Sequence, residues 1–185
     1  MESNGVTFPA RPMFGVIGVA PASGEIGTFF ADRHGGNMDD HLNGIGATVH
    51  LPIFQPGGML AIGDMHASMG DGEISGTGVE IGGTATIKVD LIKGKHGGWP
   101  ITEHADSWYT HGTHADSIDA ALKNACEEAA KLLVDQWGFT MEDAFMFLSV
   151  AGDLGIAQYC HPSPGSVIAR MRVPKISACP RPFKI

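Results

Sequence analysis

An α+β fold is predicted by three observations on this chain. Alternating Val- and Ile-rich segments crowd its first half, helical periodicity marks its second, and glycine is unusually frequent. Twenty-six glycines in 185 residues is about double the ordinary share and suits short strands joined by tight turns. Strand-rich segments followed by paired helices argue against a doubly wound sheet.

In chain order, residues 13–20 alternate loosely and stop at Pro21, which predicts a strand. Residues 22–46 are turn-rich. Two further strands are expected over Ala47–Ile53 and Met59–Asp64, joined through Pro56-Gly57-Gly58. From Val79 to Lys93 the alternation is clear, with Ile87, Val89 and Leu91 on one face and Thr86, Lys88 and Asp90 on the other. Residues 95–115 read as a loop in which Trp99, Trp108 and Tyr109 seat the chain on the core. Ile118, Ala121, Leu122, Ala125, Ala129, Leu132 and Leu133 then recur at helical spacing, with Asp116 or Ser117 as N-cap and Gly138 as stop. Thr140-x-x-Asp143 opens a second helix to about Ala151. Short strands are expected at 154–160 and 166–173. No internal repeat or low-complexity tract is present. A β-rich portion, 1–97, is thus expected to carry the site, with an α+β portion, 98–185, as its support.

The net charge of −8 argues against nucleic acid or an anionic membrane as partner, since both need a basic face. Lys175, Arg181 and Lys184 read as a solvated tail. The N-terminus has neither a cationic start nor an apolar run, as a secretory signal requires, and no apolar stretch is long enough to span a bilayer. Cys126, Cys160 and Cys179 show no Cys-x-x-Cys spacing. These features together predict a cytoplasmic protein.

The chemistry concentrates in one block of acids and histidines separated by glycines. It runs from His34-Gly35-Gly36-Asn37-Met38-Asp39 through Asp64-Met65-His66 and Asp71-Gly72-Glu73 to Glu80. Such side chains bind divalent cations and move protons. Asp64 and His66, two apart in a strand, share a face. His34 is a candidate ligand aimed by Gly35 and Gly36, although an ordinary turn would equally account for Asn37 and Asp39. Asp71, Glu73 and Glu80 repel one another unless a cation or a buried proton compensates. Imidazoles with carboxylates fit zinc, whereas an oxygen-rich set with Asn37 and Asp39 fits calcium. Glu73 or Glu80 is the candidate general base, with Asp71 beside them. His104, His111 and His114 match no strong ligand pattern. There is no Gly-x-Ser-x-Gly elbow, Cys126 reads as a core filler, and the Cys160-His161 dipeptide is weak evidence for a nucleophile.

The stretch Arg11-Pro12-Met13-Phe14-Gly15-Val16-Ile17-Gly18-Val19-Ala20-Pro21, this block, Ala144–Asp153 and Ala157-Gln158 together resemble the acetamidase/formamidase family of amide hydrolases. The resemblance implies a β-sandwich-like portion packed with a smaller α/β portion, bound zinc with calcium also possible, and a small amide substrate. Family members usually carry a β-rich segment ahead of the equivalent of Arg11. A homo-oligomer, or a partner chain supplying that segment, is therefore expected. The alternative is a non-catalytic metal- or ligand-binding β-sandwich.

Overall fold

The computed structural model describes residues 2–94, 98–160 and 166–177. Cys179, Arg181, Lys184 and His161 lie outside these residues. The fold is α+β, with two helices and two larger antiparallel sheets. A five-stranded sheet has the order β10 (Asp153–Gln158), β11 (Val167–Pro174), β9 (Ser107–His114), β8 (Ile101–Glu103), β6 (Thr48–His50). A four-stranded sheet has the order β4 (Ala31–Asp32), β5 (Gly35–Asn37), β3 (Met13–Gly18), β7 (Ala61–His66). A small ribbon, β1 (Glu2–Ser3) with β2 (Val6–Thr7), precedes them.

Period-two alternation divides the five-stranded sheet into two faces. On β9 and β11, Trp108, Ala169, Met171 and Val173 join the core under the helices. The alternate residues His111, Thr113, Ile168 and Arg170 face the other way, toward the four-stranded sheet. Ile17, Ala31, Met38, Ala157 and Ile168 form the apolar contact there.

Helix α1 (Ile118–Trp137) has Ser117 as N-cap, accepting from the Ala120 amide, and ends at left-handed Gly138. Helix α2 (Met141–Ala151) is capped by Thr140. Ala121, Ala125 and Ala129 of α1 are fully buried, and their small side chains let the helix lie close on β9. The approach is tightest at Gly112, where a Cβ would come within 3.0 Å of the Ala125 nitrogen and the Ala121 carbonyl. Gly112→Ala is therefore expected to destabilise the protein by about 1–3 kcal/mol, the usual cost of overpacking, as read by urea unfolding.

Four expectations about the fold are corrected. The segments around Pro56-Gly57-Gly58 do not pair with each other: β6 pairs with β8 and β7 with β3, so they enter different sheets. Residues 95–115 are not merely a loop, because β9 is the central strand of its sheet. Its buried polar residues Thr110, His111 and Thr113 are held by hydrogen bonds rather than marked by hydropathy. Residues 79–93 form no strand. Alternation shapes the side chains, but a ladder needs a neighbouring edge. Val79 and Ile81 bond through the backbone to Met65, Ala67 and Ser68 in and beside β7, with one bridge of Glu80 to His66, and beyond Ile81 the described residues offer no such edge.

Lys175 is not a solvated charge either. It pairs with Glu103 at 2.6 Å and lies 4.4 Å above the Trp108 ring. No helix among the described residues is long and apolar enough to cross a membrane.

Candidate active site

The site forms where three tight segments converge on strand β3. Gly15 of β3 turns its carbonyl toward the amides of Met38 and Asp39 (2.9 and 3.1 Å), which fixes the Asp39 backbone. A Cβ at Gly15 would fall within 3.0 Å of Asp39 Oδ1 and Asp64 Oδ2, so glycine leaves room for both carboxylates. Asp39, Asp64 and Glu73 have φ values of 34°, 52° and 42°. Non-glycine residues rarely adopt this region, and strain of this kind collects at functional sites.

His66, 1% exposed, is the hub. Its Nε2 lies 3.0 Å from Glu80 Oε1, 3.5 Å from Asp64 Oδ1 and 4.0 Å from Asp39 Oδ1. Gly78 passes over the other edge of the ring, where a Cβ would collide with Nδ1. Asp39 Oδ1 is buried with no hydrogen-bond partner. Burial, together with Glu73, Asp64 and Glu80 nearby, pushes the Asp39 carboxyl up to about 8. Burial likewise raises Asp64, outweighing the pull of His66.

Two triplets, Asp39/Asp64/His66 and His66/Glu73/Glu80, each bring their ligand atoms within 4.8 Å of one another. Protein ligands sit about 2.0–2.2 Å from zinc, so pairs 3–4 Å apart suit a shared ion. An orphaned buried carboxylate oxygen and the cradle at Gly15 fit the same group. The imidazole nitrogen favours zinc over calcium, which prefers all-oxygen shells.

The predicted Asp64–His66 pair is brought together, although not by regular strand alternation, since Asp64 departs from extended geometry. Asn37 serves the site indirectly, donating to Asp39 Oδ2 at 2.5 Å. His34 is not drawn in; its ring folds over Gly36 and its Nδ1 finds no partner. Asp71 is drawn to a second cluster, accepting from Arg170 at 2.7 Å and lying 2.8 Å from His41.

Sequence reasoning passed over Asp40 and Arg170, set His111 aside with His104 and His114 for want of a ligand pattern, and met Gln158 only through the family pattern. Asp40 is fully buried and accepts from Arg170 at 2.7 Å and from His111 at 2.8 Å. Burial raises its carboxyl, but those two donors and the Leu42 amide outweigh that and hold it at about 2. Gln158 donates its one amide nitrogen to Asp39 Oδ2 and to Glu73 Oε2 (2.9 Å for Glu73). The Cys160 thiol donates to the same Glu73 oxygen at 3.3 Å. Burial and Glu73 push that thiol up to about 12, which disqualifies it as a nucleophile.

A shallow apolar cavity of about 320 Å³, lined by Asp71, Gly72, Ile74, Ile156 and Tyr159, adjoins Glu73 through Gly72. It does not include the His66 cluster, and the convergent polar groups mark the site better than this hollow does.

Residues 24–174 match the model of the Acetamidase/Formamidase family. The acetamidase of Mycolicibacterium smegmatis is 32% identical over 171 residues, 80% of this chain and 40% of that protein. The crystal structure of an acetamidase from Bacillus halodurans superposes with a TM-score of 0.86 at 38% identity, over 93% of this chain and 57% of that one. An acetamidase from Yersinia enterocolitica gives 0.87 at 37%, over 93% and 51%. The chain thus spans about two fifths of the curated relative and just over half of each solved one. Because the matched stretch contains Asp39, Asp64, His66, Glu73, Glu80 and Gln158, the site lies within the shared pattern, and the chain belongs to the acetamidase/formamidase family.

Proposed function

We propose that this protein hydrolyses small carboxamides of the formamide and acetamide type, releasing ammonia and a carboxylate, with a divalent metal, zinc, held at the His66 cluster. The observation that carries the reading is a buried imidazole ringed by carboxylates beside a separately held buried glutamate. Asp39, Asp64, His66 and Glu80 would hold the ion, which when bound supplies Lewis-acid polarisation and a more acidic water.

Glu73 is the base. It is 7% exposed and held by Gln158 and Cys160, whereas Glu80 is more than half exposed and already against His66. Glu73 takes a proton from water as its oxygen bonds to the amide carbon. It returns that proton to the nitrogen as the C–N bond breaks and ammonia leaves. The free thiols Cys126 and Cys160 support a reducing, cytoplasmic setting, and the facing four- and five-stranded sheets support the sandwich reading.

The test is metal content by mass spectrometry with ammonia release from formamide and acetamide before and after chelation. Stoichiometric zinc and activity restored on re-addition are expected. Bound metal with no turnover of either amide would favour a binding module. The ion must displace the proton that Asp39 holds below about pH 8. Affinity is therefore expected to rise with pH up to that value, with proton release visible by calorimetry in buffers of different ionisation enthalpy.

We also propose that the protein assembles as a homo-oligomer through residues 81–94, all of which are exposed. Ile87, Val89 and Leu91 lie among them, and their alternation, with no strand partner beyond Ile81 among the described residues, suits a second strand. Amide protection there is expected to increase with protein concentration; rapid exchange at every concentration would refute the assembly.

A further inference from the structure

We propose that Gln158 is a positioning residue that sets the base Glu73 against Asp39, an inference that rests on the hydrolase reading above. Strand β10 carries a bulge between Ile156 and Gln158 in its pairing with β11. Ile156 packs with the helix core and Ala157 with the core on the site side. Regular alternation would return Gln158 to the helix side. The extra residue instead turns it to the site, the re-aiming that bulges produce.

There Gln158 is 2% exposed, and its Nε2 donates to both Asp39 Oδ2 and Glu73 Oε2. The carboxylate of the base Glu73 accepts only, so the nitrogen is the end that faces the pair. Its Oε1 has no partner, and its nitrogen is committed to the two acids. The backbone reinforces the clamp. Gly72 donates to the Ala157 carbonyl and accepts from the Tyr159 amide, each at 2.8 Å, so the segment bearing Glu73 travels with β10. Without the shared donor, the Glu73 side chain loses the hydrogen bond that sets it against Asp39.

Gln158→Met keeps the length and removes the donor. On formamide or acetamide, kcat is expected to fall on the order of 10²-fold, the usual cost of misplacing a catalytic group by about 1 Å, with KM nearly unchanged. In a Glu73→Gln background the same change is expected to cost nothing further, because it acts through Glu73. Independently of turnover, alkylation of Cys160 by iodoacetamide is expected to quicken several-fold as Glu73 leaves the thiol, with Cys126 as internal reference. Gln158→Asn keeps the amide but not its reach; it is expected to behave alike and serves if the Met variant does not fold. Unchanged kcat, a rise in KM alone, full additional loss in the double variant or an unchanged Cys160 rate would each overturn the inference. A wild-type protein inert on both amides would overturn the hydrolase reading instead, and the Cys160 comparison would still decide the role of Gln158.

Discussion

Glu73→Gln is expected to lower ammonia release by about 10²–10⁴-fold, the range that a positioned general base supplies, while leaving the fold and the bound metal in place. The change is isosteric, and the new side chain still offers an oxygen to Gln158 and Cys160 where Glu73 Oε2 stands. What it loses is the capacity to take a proton. Glu80→Gln is the informative comparison. Glu80 Oε1 lies 3.0 Å from His66 Nε2 and also accepts from Thr77 at 3.0 Å, so its neutralisation is expected to weaken metal retention first and turnover as a consequence. Paired metal analysis and initial rates separate the two. Metal retained with activity gone in Glu73→Gln assigns the base to Glu73; full activity in that variant removes the assignment.

The sequence made some parts of this molecule legible and concealed others for definite reasons. Both helices could be read because their signals are local: Ser117 and Gly138 bracket α1, and Thr140 opens α2. Strand β9 was hidden because buried Thr110, His111 and Thr113 satisfy themselves through partners far away in the chain. The alternation at 79–93 was real as chemistry yet could not say whether an edge lies beside it. Asp64, His66, Asp39, Glu73 and Glu80 stood out as chemistry-bearing residues among glycines. Which of them meet was set by backbone the pattern does not encode, namely left-handed residues at 39, 64 and 73 and a glycine at 15 opposite them. Of the adjacent Asp39 and Asp40, the sequence pattern singled out only the first. Distant partners give one to the His66 cluster and the other to Arg170 and His111.

That division makes Asp40→Asn the substitution expected to cost the most stability. The carboxylate accepts from Arg170, His111 and the Leu42 amide with no exposure to solvent. His111 also faces the Pro100 carbonyl at 3.1 Å through Nδ1, so each ring nitrogen lies against an oxygen. Arg170 in turn reaches Asp71. Neutralising Asp40 leaves the buried Arg170 guanidinium with only the half-exposed Asp71 as counter-charge, a defect of the kind that costs about 3–5 kcal/mol. For a chain of this size that lowers Tm by about 6–20 °C, and thermal unfolding followed by circular dichroism reads it directly. The sign of the pH effect follows from the depressed carboxyl. Its folded value of about 2 lies below the ordinary 3.8, so its contribution is complete above about pH 4 and is lost as pH falls toward 2. The Asn variant is expected to lose that portion of the wild-type acid sensitivity, and an unchanged Tm would show that Asp40 is not the counter-ion. Replacing Asp40, Arg170 and His111 together by apolar residues of similar volume is expected to recover much of the loss, because the pairing offsets little more than the desolvation of its members. Activity is not expected to return with stability. Asp40 anchors the segment that carries Asp39, and a repacked apolar cluster would hold the sheets together without fixing that neighbour beneath His66.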